Sequence, residues 1–497
     1  MVDVTYKVDE LGRVVMHGPS PNGREVYSGG WLAFQDLALL DAPPTHKEWE
    51  MGACLASFAM RNGNQIVVAA TAVDPQIEAA ILAELGCIHW FNQDYYNQAK
   101  VVGGRFELER LPMSSDNGFA TGVTAESFGR FFQRGDRVYT DRNDHRLDSF
   151  FGGEAFNRAC FVANSKSEFS RLIAGMSGWH VPSVATIEEL SVFDIDNLLQ
   201  LDDQNLLDGF KQALQIQCPD FPWEKAFYFK IAGGAGGNAV VASITKVCFA
   251  EPDQNNFEEI RSILQGLRKR SSLDKKHRSV ILTEAIEHDQ YPDNPLDLQS
   301  SYISPCLTIR IGDEGKVVLG QVADQVLRDT TWTGNFWTRT LEGHFLDSVG
   351  IEQVQALGQK ISSIGYRGYF GTDFVRSSET GKFHLILDAN GRMNGNDMIF
   401  LVRKPLEKSG YPVDSAFLGS VKLELGSRSE LQQALESRFG KYSYNPDQVS
   451  GLVLIPSLSG SAGKGEDQVG QTTIKLVYVN PQNNEEAFRE FYGINFA

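Results

Sequence analysis

The chain carries its apolar residues in short runs and helical stripes rather than in long blocks, which predicts a protein of mixed strands and helices. Gln65–Ala70 is a β-prone run. Pro75–Leu85 follows it as a helix, with proline in its first turn and Gly86 at its end. The two form one α/β unit of an open sheet. Phe161-Val162 reads as a short strand, the chain from Ser167 to Gly178 as a helix, and Val181-Pro182-Ser183 restarts an extended segment. Between 226 and 250 the β signal is dense, broken by Gly233, Gly234, Gly236 and Gly237. Phe257, Ile260, Ile263, Leu264 and Leu267 then recur at helical spacing. Strands are expected at Ser279–Ile286, Leu307–Ile311 and Lys316–Leu319, the last two joined by a turn at Asp313–Gly315. A helix follows over 351–364, then strands Tyr369–Val375 and Phe383–Asn390. The C-terminal part shows a helix near 430–437, the apolar run Gly451–Pro456 and a loop Ser459–Gly470 rich in glycine and charge. It ends in a strand Thr473–Val479 and a helix from Glu485, and reads as a small α/β appendage.

At 497 residues the chain has room for about three domains. A net charge of −17 argues against general nucleic-acid binding, which needs a basic footprint. The one basic cluster, Arg268–Arg270 and Lys275–Arg278, suits a solvated helix end, with attraction of an anionic substrate as the alternative. The polar opening Met1–Lys7 lacks the apolar core of a signal peptide, and no apolar run approaches the ~18 residues of a membrane span. Six widely spaced cysteines form no metal-type pair, as expected of reduced thiols in a cytoplasmic protein.

The strongest chemical signal is the segment Gly371-Thr-Asp373 followed by Leu387-Asp388-Ala-Asn390-Gly-Arg392. Alternate residues of a strand share a face, so Asp388, Asn390 and Arg392 point together past small neighbours. A two-residue turn at Thr380-Gly381 would place Asp373 opposite Asp388. Two carboxylates and an amide oxygen suit magnesium, with Arg392 stabilising charge on a transferring group. An ordinary acidic hairpin is the plainer alternative. The second signal is Lys230, just ahead of Gly233, Gly234, Gly236 and Gly237. An ammonium and loop N–H groups can together hold phosphates. The same glycines fit a dinucleotide fingerprint, but that motif opens a helix, and Val240–Val247 favours a strand. A merely flexible loop is the third reading. The third signal is the strand end Glu284-Ala-Ile286-Glu287, a place where backbone groups and a carboxylate can meet a nucleoside. Walker-type phosphate loops, G-x-S-x-G, H-E-x-x-H and paired C-x-x-C motifs are absent.

In order, Lys166, Lys230 with its glycine loop, Glu284, Asp373, Asp388, Asn390 and Arg392 resemble the ATP-grasp superfamily over residues 160–400. Leu387–Arg392 is similar to a strand of D-alanine–D-alanine ligases. Val317–Gln325, Gly365–Gly371 and the C-terminal strands resemble the pheganomycin-type peptide ligases. The resemblance implies an α/β (α+β) ATP-grasp fold with an N-terminal open α/β domain (1–158). The ATP-grasp domain would cover 159–405, with a lid at about 183–285, and the substrate-side appendage 406–497. It implies ATP phosphates at Lys166 and Lys230 under a flap of Gly233, Gly234, Gly236 and Gly237. Adenine would lie at Glu284 and the backbone of Ile286, and ribose at Glu287. Two Mg2+ ions, replaceable by Mn2+, would sit at Asp373, Asp388 and Asn390, with Arg392 steadying an acyl phosphate. Asp388 stands where the family usually has glutamate, a reach shorter by one methylene. The implied activity is ATP-dependent joining of a carboxylate to an amino-acid or peptide amine, without nucleic acid or membrane partners; a homodimer is compatible with it. A catalytically silent ATP-binding scaffold and a nicotinamide-dependent oxidoreductase are the rivals. ADP release on adding substrates separates the first, and nucleotide-dependent melting the second.

Overall fold

The structure is a computed structural model. Before residue 162 it describes residues 86–100 and, by backbone, six strands. From 162 it describes the chain except 164, 188–191, 232–243, 250–256, 259, 263, 266–267, 269–279, 289–294, 297–302, 312–314, 329–330, 367, 392–393, 425–429, 463–468 and 497. Several strand residues, Lys230 among them, are described by backbone alone. The chain divides into two compact units. One holds residues 1–157, 290–371 and 391–497, the other 158–289 and 372–390.

In the first unit, β1 (Tyr6–Val8) and β2 (Val14–Met16) form an antiparallel pair. The next four strands are β3 (Arg24–Ser28), β4 (Gln65–Ala70), β5 (Arg105–Arg110) and β6 (Arg137–Thr140). They make a parallel sheet in the order β5-β4-β3-β6. Parallel neighbours need crossover connections, so this is the open α/β arrangement that the run Gln65–Ala70 suggested. The helix expected over Pro75–Leu85 lies outside the described residues. A short helix α1 (Gln93–Gln98) is anchored from its N-cap: Asn92 exchanges two hydrogen bonds with the backbone of Leu454, at 2.7 and 2.8 Å. The hydroxyl of Tyr95 donates to the Val402 carbonyl at 2.9 Å, which ties the helix into the core.

The larger sheet of this unit is antiparallel. Its strands are β11 (Pro305–Ile311), β12 (Val317–Arg328), β13 (Thr331–Thr338), β16 (Ser415–Glu424), β17 (Gly451–Ala462) and β18 (Val469–Val479), in the order β11-β12-β13-β16-β18-β17. The start of β14 (Gly368–Arg376) adds a further strand beside β11. Strands β17 and β18 run into the stretch read as a loop from Ser459, because their ladder continues through Ser459↔Thr473 and Gly460↔Thr472. The aromatic run Trp332–Trp337 is strand β13, with Phe336 and Trp337 wholly buried and Trp332 exposed at its rim.

Two helices, α5 (Arg339–Val349) and α6 (Ile351–Ser363), follow β13, and α7 (Gly395–Lys408) follows β15 (Phe383–Asn390) of the other unit. Helix α7 opens with a capping box, in which Asn394 accepts from the N–H of Asp397 and Asp397 accepts from the N–H of Asn394. Asp397 is completely buried, 3.9 Å from Arg310 of β11, whose guanidinium lies over the Phe400 ring at 3.5 Å. Burial pushes the Asp397 carboxyl up to about 6, against the pull of Arg310 and of hydrogen bonds from Asn394 and Thr308. Helix α8 (Leu431–Phe439) comes between β16 and β17 along the chain, and the last helix is α9 (Glu485–Asn495), whose Phe488 and Tyr492, with Phe496 beyond it, pack edge-on against Phe417 of β16.

The second unit is built on an antiparallel sheet in the order β7-β10-β8-β9. These strands are β7 (Val184–Ile187), β8 (Phe227–Ile231), β9 (Ile244–Val247) and β10 (Val280–Glu284). Helices α3 (Val192–Leu199) and α4 (Asp203–Gln217) and the helical residues described between 257 and 268 cover one face. There Leu206, Phe210, Phe221, Trp223, Phe227 and Phe229 form one apolar cluster with Ile260 and Leu264. Helix α2 (Lys166–Ile173) is capped by Ser165, which accepts from the Glu168 N–H. Val162-Ala163 is helical, so Val162 does not take the strand conformation expected of it, and Phe161 lies outside the described residues. Helix α2 buries Phe169 and Ile173.

Candidate active site

The described residues that carry chemistry gather in the second unit, on β15 (Phe383–Asn390), the second half of β14, helix α2 and the end of β10. Strand β15 has the bounds read from its pattern, and its burial alternates. Leu385, Leu387 and Ala389 are buried, while His384, Ile386, Asp388 and Asn390 take the half-buried face. Asp388 and Asn390 therefore share a face, as their spacing required. Leu387 combines full burial with φ +63°, uncommon for a branched side chain. Such a residue holds strain of about 1–3 kcal/mol, here directly beside Asp388.

The turn between β14 and β15 differs from the expected one. Ser377 N–H donates to Lys382 O at 2.9 Å, Gly381 N–H donates back to Ser377 O at 2.8 Å, and Gly381 takes φ +67°. Ser378–Gly381 thus form a four-residue loop, and Ser377 rather than Glu379 faces Lys382. The cause is local, since the Ser377 hydroxyl accepts the Thr380 N–H and holds the chain in a longer turn. Direct opposition of Asp373 and Asp388, which a two-residue turn would impose, does not follow from this one. Asp373 is half-buried, between buried Thr372 and Phe374.

Lys166 is the first residue of α2, which packs against β15 and β10. It is only 5% exposed, and its Nζ lies 3.0 Å from Asp388 Oδ1. A buried cation at the positive end of a helix is doubly unfavourable, so a nearby anion is required to hold it there. Two serines flank it, with their hydroxyls 3.1 Å apart. At the end of β10, Glu284 accepts from the Ser183 N–H (3.2 Å), the Ser183 hydroxyl (2.8 Å) and Lys225 Nζ (2.5 Å). Burial raises its carboxyl, but the bonds from Lys225 and Ser183 outweigh burial and leave it below the ordinary value. Ile286 is half-buried and Glu287 exposed. The Glu287 carbonyl accepts from the N–H and hydroxyl of Ser378, which joins the hairpin loop to this strand end.

Position 230 pairs with Ile281 of β10 and Ile244 of β9. It therefore falls on the sheet face opposite Phe227 and Phe229. Ile244–Val247, within the stretch Val240–Val247 that a dinucleotide fingerprint would need as helix, is strand β9, antiparallel to β8. A dinucleotide fingerprint needs a helix there, so the nicotinamide reading loses its structural context. The side chain of Lys230, the glycines 233, 234, 236 and 237, and Arg392 lie outside the described residues.

Residues that sequence reasoning missed are Ser183, Lys225, His180 and His384. His180 bridges in parallel to His384, and its carbonyl accepts the Leu385 N–H at 2.8 Å. Burial lowers the His384 imidazole below its usual value, with His180 and Lys382 adding to the effect and Glu284 opposing it. These pairings span long stretches of chain, so no local signal announces them.

The donors Asp373, Asp388 and Asn390 are hard oxygens, the type that Mg2+ prefers. Asp388 Oδ1 is paired with the Lys166 ammonium at 3.0 Å, and in donor chemistry alone the three oxygens suit a hard divalent cation. Among the described residues there is no cluster of three or more His, Cys, Asp or Glu arranged to hold a metal, and no helix long and apolar enough to cross a membrane. A carboxylate–amide strand beside a buried lysine can hold charged phosphate groups and a divalent cation together.

No family model and no curated protein matches the sequence. Solved structures do match the fold. An ADP complex of PurK, N5-carboxyaminoimidazole ribonucleotide synthetase, is 9% identical with a TM-score of 0.50, over all of both chains. The chain is also similar to an N5-carboxyaminoimidazole synthase from Aspergillus clavatus (12% identity, 95% of this chain and 99% of that one, TM-score 0.48). An L-amino acid ligase from Bacillus licheniformis matches at 11% identity, over 94% and 96% of the two chains, with a TM-score of 0.47. At 9% identity the match to the PurK structure shows the fold alone, the mixed α/β ATP-grasp fold.

Proposed function

We propose that this protein is an ATP-dependent ligase that joins a carboxylate to an amine. The observation that carries the reading is the ion pair of buried Lys166 with Asp388 on the β15 face that also presents Asn390, in a chain with the ATP-grasp fold. A carboxylate oxygen of the substrate attacks the γ-phosphorus, and ADP leaves with the bridging oxygen. The amine nitrogen then attacks the acyl carbon; phosphate departs, the nitrogen loses a proton and an amide remains. Little covalent work falls to the protein, so positioning and charge stabilisation dominate. Lys166 and Lys230 bind phosphate oxygens, and the strand end at Glu284, Ile286 and Glu287 receives the nucleoside. Asp373, Asp388 and Asn390 would hold Mg2+ or Mn2+, which supplies Lewis-acid neutralisation of phosphate charge. Arg392 steadies the charge on the acyl phosphate.

The substrates proposed are a small carboxylate and an amino-acid or peptide amine, with the reaction in the cytoplasm. The domains proposed are 1–158, 159–405 and 406–497. ATP with magnesium is expected to raise the melting temperature and NAD(H) to leave it unmoved. At a hundredfold excess over the dissociation constant, linkage adds about 2.7 kcal/mol. Differential scanning fluorimetry reads this directly, and a curve indifferent to ATP–magnesium sinks the reading.

A further inference from the structure

We infer that His180 and His384 form a site for Zn2+ and like nitrogen-preferring divalent metals, distinct from the oxygen-lined position proposed for Mg2+. The inference does not depend on the ligase reading. It starts from the backbone. His180 bridges in parallel to His384, and the Leu385 N–H donates to the His180 carbonyl at 2.8 Å. Residues opposed in this way sit about 4.8 Å apart and send their side chains to the same side. Next to His180, the Trp179 ring lies 5.6 Å from that of Phe374, so a second contact holds the segment against the hairpin.

The two imidazoles meet with ring centroids 5.6 Å apart and planes tilted by 41°. Two imidazoles on one tetrahedral Zn2+, at the usual Zn–N distance of about 2.0–2.1 Å, have centroids roughly 5–5.5 Å apart. Small side-chain rotations therefore bring both rings onto one ion. The Nδ1 atom of His384 is buried without a hydrogen-bond partner, a state that costs free energy and that a metal bond would relieve. Burial, aided by His180 and Lys382 and opposed by Glu284, holds His384 below its usual value. At neutral pH it is thus an uncharged ligand with a free lone pair, the form that metals bind. His180 is exposed, which gives the ion a path in. Glu284, whose charge acts on His384, is already engaged by Ser183 and Lys225, so water completes the coordination. The site is separate from Asp388: His384 comes four residues before it on the same face of β15, on the order of 10 Å along the strand. Imidazole suits Zn2+, Ni2+ and Cu2+, whereas Mg2+ seeks oxygen, so excess Mg2+ leaves the pair open.

Competition for Zn2+ against a chromophoric chelator, on the full chain in excess Mg2+, tests this. Wild type is expected to show a Zn2+ site that His180→Ala and His384→Gln each weaken by at least about tenfold, a loss that even an outer-shell change commonly causes. Asp388→Asn is expected to leave the affinity of that site unchanged. Zn2+ is also expected to raise the melting temperature of wild type and not of either histidine variant. His180 is exposed, so its variant decides the matter if His384→Gln does not fold. Equal Zn2+ affinity in wild type and His180→Ala overturns the proposal and leaves a packing contact between two rings. A site lost in Asp388→Asn but kept in both histidine variants overturns it too, since Zn2+ then binds the carboxylates. Neither result touches the nucleotide-site reading, which ATP–magnesium melting tests separately.

Discussion

Asp388→Asn is expected to lower turnover by about 10²–10³ while the protein still binds nucleotide. Losing one preorganised electrostatic contact to the transferring group commonly costs that much. The substitution keeps the size of the side chain and its place on the half-buried face of β15. It removes the negative charge proposed to meet the metal, which in the structure pairs with Lys166 at 3.0 Å. The rate should respond in turnover rather than in apparent affinity for ATP, because the contact matters most when the phosphoryl group is in transit. Asn390→Ala should lose less, since a neutral donor contributes less than a charged one. Initial rates against magnesium concentration, with nucleotide affinity measured separately, check this. A wild-type rate for Asp388→Asn at limiting magnesium would remove the hairpin from the mechanism.

Arg310→Leu is expected to destabilise the first unit by about 3–5 kcal/mol at neutral pH, the usual result of stripping a buried charge of its partner. The partner is Asp397, wholly buried in the capping box of α7 and held up at about 6. A carboxyl raised in the folded state contributes stability that is full below its unfolded value near 4 and is lost as pH rises to about 6. At pH 5 the group is largely neutral, so Arg310→Leu should cost distinctly less there than at pH 7.5. Urea unfolding at both pH values tests this. The double variant Arg310→Leu/Asp397→Asn should regain much of the loss, because no lone charge remains buried. Simple additivity of the two single effects would show that the residues do not act as a pair.

Much of the architecture could be read from residues in sequence. Strand β15 and helix α9 begin where their patterns begin, because alternation and a run of helix formers are local properties. The face shared by Asp388 and Asn390 follows from the same alternation. Other elements resist such reading. The first five positions of β16 are all buried and include Gly419, so neither alternation nor a β-branched run marks it. That glycine is there because the Phe496 ring would lie 2.4 Å from any Cβ, a neighbour supplied by the far end of the chain. The partner of Glu284 is Ser183, 101 residues away, and the partner of Lys166 is Asp388. Pairings at that range are fixed by sheet order and helix packing. The turn after β14 departs from the local pattern for a smaller reason: the hydroxyl of Ser377 selects a longer loop than the dipeptide Thr380-Gly381 suggests.

Activation of a carboxylate by phosphoryl transfer from ATP, with capture by an amine, is tested most directly by supplying 18O-labelled carboxylates with amines, ATP and magnesium to the full chain and following the label by mass spectrometry. ADP is expected as the nucleotide product, with an amide and one 18O atom carried from the carboxylate into the released phosphate. Amide formed with AMP and pyrophosphate, or with phosphate free of label, would contradict it.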